Sequence, residues 1–128
     1  MKRQLRTPFS HAVGLGSAKE GVDHWWAQRV SAVALVLLGL WFVASLVALA
    51  GADRARVVTW LHGPLAALLV MLTLAAVFYH TALGLQVVIE DYVHSELVKI
   101  PAVIAMRLLC VALAAAGIFA VLRIAFGG

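Results

Sequence analysis

Residues 57–89 read VVTWLHGPLAALLVMLTLAAVFYHTALGLQVVI, 33 positions with no charged side chain when histidine is neutral. As one unbroken helix, rising about 1.5 Å per residue, the stretch would extend about 50 Å. The hydrocarbon core of a bilayer is only about 30 Å thick. Gly63-Pro64 resolves the excess. Proline lacks a backbone N–H and suits the first turn of a helix, so a start or kink is predicted there. The turns before it then lie at the interface, with Trp60 in the headgroup belt.

The same logic extends to the rest of the chain. It has 128 residues, 64% of them hydrophobic and 12% charged. A soluble domain averages about 45–50% apolar and about 25% charged residues. So apolar a chain of this length predicts lipid as its solvent. Residues 30–52 carry no charge, and residues 100–122 are interrupted only by Arg107. Each is long enough to span, since about 20 apolar residues suffice. The reading is an all-α membrane protein with three transmembrane helices, at about 30–52, 60–89 and 100–122. Residues 1–29 form a cytoplasmic or interfacial N-terminal segment, and residues 30–128 form the anchor domain. No internal repeat or low-complexity tract is present.

The net charge of +4 does not indicate nucleic acid, because the basic residues flank apolar segments instead of forming one patch. The single Cys110 excludes an intrachain disulfide. The opening MKRQLR is followed by polar, glycine-rich sequence without an adjacent apolar region, so a retained cytoplasmic tail is expected and not a signal peptide. Lys2, Arg3, Arg6, Lys19, Arg29, Lys99 and Arg107 fall on one side of the spans; Arg54, Arg56 and Arg123 fall on the other. The excess of cations predicts the N-terminus inside and the C-terminus outside, that is, periplasmic.

Residues 78–96, FYHTALGLQVVIEDYVHSE, place a histidine deep in apolar sequence. At about 100° per residue, Asp91 lies about 20° around the helix from His80 and about 16 Å along it. Thr73, His80, Gly84 and Asp91 thus share one polar and small face. The acid sits at the membrane boundary, so His80 lies close to the midplane. Tyr92 projects about 100° away from Asp91, at the boundary.

Three readings of His80 stand at this point. An interhelical hydrogen bond would contribute on the order of 0.6 kcal/mol. A haem ligand is a common use of neutral imidazole, with Gly84 leaving room for a flat macrocycle. A proton relay is the third, although no other acid or histidine lies between residues 65 and 89. Ligation by two histidines would need a second chain. The first and third spans contain none, and His62 shares the face of His80 but lies about 27 Å away.

Before the first span, residues 17–29 read SAKEGVDHWWAQR. The plain reading is an anchoring belt of Trp25 and Trp26 at the headgroups, with Arg29 snorkelling. The functional one has Arg29 neutralising buried carboxylates while the tryptophans wall a flat ligand. Arg107 is expected to snorkel. Cys110 and Trp41 are expected in packing or lipid contact, His11 and His24 in solvent, and His94 at the interface. For Asp91 and Tyr92 the alternatives are a capped, belted helix end and a quinone headgroup site. In the latter the tyrosine hydroxyl donates to a carbonyl and the carboxylate serves proton uptake.

Taken together, SAKEGVDHWWAQR, the uncharged VSAVALVLLGLW and HTALGLQVVIEDYV resemble the smaller, D-type membrane-anchor subunit of bacterial succinate dehydrogenase (respiratory complex II). The resemblance covers nearly the whole chain, and its most specific element is His80 followed twelve residues later by Tyr92 of an Asp-Tyr pair. It implies that His80 is an axial ligand of haem b, its iron shared with a cytochrome b556-type C anchor subunit. It also implies that Arg29 approaches the haem propionates and that Tyr92, beside Asp91, binds ubiquinone. Trp25 and Trp26, which belong to a subgroup pattern, are candidate walls of the quinone site on their own chemistry and not by the resemblance. FAD and iron–sulfur clusters would reside only in the partner flavoprotein and iron–sulfur subunits, docked on the cytoplasmic side of the bacterial inner membrane. No catalytic residue is expected in this chain. The rival expectations are a small proton-conducting or transporter protein using His80 and Asp91, and a scaffold in which the histidine only packs.

Overall fold

A computed structural model of the chain describes residues 16–127, with side chains from residue 21 onward. The described residues form four helices and no strand: α1 (Gly16–Ala48), α2 (Arg54–His62), α3 (Pro64–Tyr92) and α4 (Glu96–Phe126). Three of these, α1 from Gly21 onward, α3 and α4, are long and apolar enough to cross a membrane. The all-α, three-span expectation therefore holds. The first span is the inner part of a longer helix, because residues 16–29 continue the same coil. That helix stops at Ala48, and the chain turns back at Gly51, whose φ of +77° is a conformation that only glycine adopts without strain.

The short α2 has a clear start signal. Asp53 stands at its N-cap and accepts a hydrogen bond from the Arg56 backbone N–H at 2.9 Å, satisfying one of the amides that a helix start leaves unpaired. Asp53→Ala should lower stability by about 1 kcal/mol, read as a lower unfolding midpoint in detergent. Gly63 is extended (φ −65°, ψ 124°), and Pro64 opens α3 in its first turn. The break within residues 57–89 therefore falls at Gly63-Pro64, and α3 is left with 29 residues.

The helix order in space is simple. The central α3 packs against α1 on one side and α4 on the other, with α2 folded against α3 and α4; the backbones of α1 and α4 do not approach each other. A small apolar core of Leu61, Ala67 and Val121, with Val70, Met71 and Leu74 around it, closes the end where α2 meets α3 and α4. His62 Nδ1 lies 3.0 Å from the Ala125 carbonyl oxygen, an acceptor. Gly117 of α4 lets that helix approach α3, since a Cβ there would stand 3.1 Å from a Leu74 methyl. At the same end, Trp41 of α1 stacks on Trp60 of α2, with centroids 5.9 Å apart and planes at 21°. Few side chains are buried, and leucines such as Leu37, Leu40 and Leu108 are each about two-thirds exposed. In water such surface would be costly, at about 25 cal/mol per Å²; in lipid it is the proper exterior.

Candidate functional site

The densest polar contact between spans lies in the seam of α1 and α3. His24, Gln28 and Ser31 follow one another at i, i+4 and i+7, so they share one face of α1. Ser31 is buried. Its Oγ donates to the Gln28 carbonyl oxygen at 3.1 Å and lies 2.8 Å from His80 Nδ1. On the other side of the imidazole, Gln28 Nε2 is 3.5 Å from His80 Nε2, at the outer limit of a hydrogen bond. Gly84, one turn further along α3, faces the same glutamine: a Cβ there would meet Gln28 Nε2 at 3.8 Å.

This network specifies the imidazole. A hydroxyl has one proton to give, and that of Ser31 goes to the Gln28 carbonyl. With its proton on that carbonyl, the Ser31 oxygen is free to accept from a proton on His80 Nδ1, the tautomer that a ligand bonding through Nε2 requires. Nε2 is left with a lone pair and only the long Gln28 contact. Two further polar atoms of the α1 stripe, His24 Nε2 and Gln28 Oε1, are buried without a hydrogen-bond partner among the described residues. The seam thus has more donor and acceptor capacity than the chain itself uses, and buried polar groups are rarely left unmatched. His24, expected in solvent, is half-buried, and its Nε2 is shielded.

Whether these residues suit a haem can be judged from their chemistry. A histidine held at Nδ1 by a hydroxyl, with only a long contact at Nε2, has the arrangement of a haem ligand, so the donor set fits. Among the described residues no group of three or more His, Cys, Asp or Glu is placed to hold a metal ion.

The other predicted residues lie elsewhere. Arg29 is exposed, and its guanidinium stands 5.3 Å from the Trp25 ring centre in a cation–π contact. Trp25 and Trp26 meet edge to face at 5.3 Å, each about half-exposed. No hydrogen bond joins Arg29 to His80 among the described residues. Asp91 and Tyr92 end α3, about 16–18 Å along the helix from His80, and both are exposed, Tyr92 at 79%. Thr73 is buried and bonded to the Leu69 carbonyl at 2.7 Å.

Sequence reasoning missed Ser31 and Gln28 as partners of the histidine. Their spacing on α1 was the available signal, but only the fold shows which helix that stripe meets. Arg107, expected to snorkel, is also tied across to α3: it donates to Gln86 Oε1, and Gln86 Nε2 donates to Glu90 Oε1 at 2.7 Å. Beneath this bridge lies a mainly apolar groove of about 520 Å³ between α3 and α4, lined by Phe78, Tyr79, Leu83, Cys110 and Ile118. Cys110 packs there as expected, its Sγ 4.0 Å from Met106 Sδ.

Comparison with known proteins gives a consistent picture. Residues 3–120 match the model of the succinate dehydrogenase/fumarate reductase transmembrane subunit family. The succinate dehydrogenase hydrophobic membrane anchor subunit of Rickettsia bellii is 33% identical over 121 residues, covering 94% of this chain and 97% of its own. That of Paracoccus denitrificans is also 33% identical over 121 residues, covering 94% and 93%. The succinate dehydrogenase membrane anchor subunit of Reclinomonas americana is 26% identical over 96 residues, covering 73% and 80%. No solved structure gives a significant match.

Proposed function

The chain belongs to the succinate dehydrogenase/fumarate reductase transmembrane subunit family and is a multi-pass membrane anchor; on that premise we propose that it carries one axial ligand of a haem b and helps to form a ubiquinone-reduction site. The complex would sit in a bacterial cytoplasmic membrane, its flavoprotein and iron–sulfur subunits on the side of Tyr92. The observation that carries the haem reading is the imidazole of His80, anchored at Nδ1 with Nε2 free in a seam that holds unmatched polar atoms.

Each residue then has a definable task. His80 would hold the haem iron through Nε2, together with a histidine of a cytochrome b556-type C anchor subunit, with Arg29 compensating the propionate charges. When bound, the haem supplies one-electron redox chemistry at the membrane midplane. Tyr92 would donate its hydroxyl proton in a hydrogen bond to a quinone carbonyl at the water-facing end. Asp91, beside it and open to solvent, would relay protons taken up as quinone becomes quinol. Trp25 and Trp26 are proposed as apolar walls of that site, supplied by the partly exposed start of α1.

A reduced-minus-oxidised absorption spectrum of the solubilised complex tests this reading. A b-type band, in material that also contains a flavoprotein and an iron–sulfur protein, is the expected result. A colourless homo-oligomer would instead favour proton conduction or transport by His80 and Asp91.

A further inference from the structure

We propose that Ser31 is a positioning residue for His80, fixing the proton on Nδ1 so that Nε2 is directed to the iron. This inference rests on the reading of His80 as a haem ligand. The geometry behind it is specific. Ser31 Oγ is the near partner of the ring at 2.8 Å, whereas the contact at Nε2 is long, at 3.5 Å. Ligation through Nε2 obliges the proton to stay on Nδ1, and that proton needs an acceptor in a medium without water. Ser31 can supply one, because the Gln28 carbonyl oxygen stands 3.1 Å from its Oγ as an acceptor for its own hydroxyl proton. A serine bonded back to the preceding turn is thereby converted from a donor into an acceptor at the ring. The hydrogen bond also raises the electron density that the imidazole gives to a metal, as outer partners of ligating histidines do. Gln28, whose amide stands over Nε2 and whose Oε1 is unmatched, covers the free lone pair in the chain alone and must turn aside when that position is used.

The test compares Ser31→Thr with Ser31→Val in the assembled complex. The two side chains have nearly the same shape and differ in the hydroxyl. Ser31→Ala runs beside them in case the larger β-branched residue disturbs packing. Readouts are haem content per flavin, the haem midpoint potential and the low-spin electron paramagnetic resonance signal. Co-purification of the flavoprotein and iron–sulfur subunits with the anchor reports assembly. Ser31→Val and Ser31→Ala should weaken haem retention by about 10–100-fold and move the potential upward, because a less electron-rich ligand stabilises ferric iron less. Ser31→Thr should stay close to the parent. Parent-like values for Val and Ala would overturn the proposal. Equal impairment of Thr and Val would also overturn it, since shape would then be the cause. The same measurements on His80→Ala separate the two levels: an unaltered haem there rejects the ligand reading itself, whatever Ser31 does.

Discussion

His80→Ala is expected to yield a complex that still assembles and oxidises succinate with an artificial acceptor, but whose b-type spectrum is lost or markedly changed. The side chain is only half-buried in the chain alone, and its partners are Ser31 and the distant Gln28 amide. Removing it leaves one buried hydroxyl still bonded to the Gln28 carbonyl, so the helices lose little. If the histidine only linked α1 and α3, the substitution would cost on the order of 0.6 kcal/mol and leave any pigment untouched. Haem ligation predicts the reverse balance, with a small structural cost and a large spectral effect. Added imidazole should restore part of the spectrum by entering the vacated position. Unchanged haem stoichiometry and line shape would reject the assignment.

The second large effect is expected for Tyr92→Phe. With 79% exposure, Tyr92 ends α3 without an intrachain hydrogen bond from its hydroxyl among the described residues. Loss of that oxygen should therefore leave folding intact. A hydrogen bond of about 1–1.5 kcal/mol to a quinone carbonyl corresponds to roughly a tenfold change in rate if it strengthens in the transition state. Quinone reduction should fall by about that factor or more while reduction of an artificial acceptor persists. Equal loss of both activities would place Tyr92 outside the quinone site and return it to the interfacial belt.

These two positions were legible in the sequence because their signals are local. A histidine in an apolar run and an acid-tyrosine pair on the same helix obey one periodicity, so their separation in depth followed from rise and turn. The three spans were legible for a similar reason, since the bilayer sets a length that charge-free segments either meet or miss. Gly63-Pro64 marked the break because backbone chemistry forces it. What could not be read was which helix faces which. Ser31 lies 49 residues before its partner His80, and no periodicity within α1 says that its polar stripe meets α3 and not α4 or lipid. The same limit applies to Arg107, whose bond to Gln86 crosses between α3 and α4. His24 was misjudged by the same gap: a polar residue beside a charged segment is exposed only if nothing in the fold covers it.

The central position of α3 has a consequence for how the chain is made. Synthesis releases α1 first, with Gln28 and Ser31 on a face that packs on α3, the one helix among the described residues whose backbone approaches α1. The intervening α2 must be completed before that partner emerges. During this interval the polar stripe of α1 is unmatched in the bilayer, tolerable because Ser31 bonds to its own helix through the Gln28 carbonyl. When α3 enters, it is the least apolar of the three spans, and its histidine meets a prepared acceptor. Insertion of the least apolar segment would then be assisted by one already in place, an effect that moving α1 behind α3 in a permuted chain should remove, seen as less membrane-inserted protein.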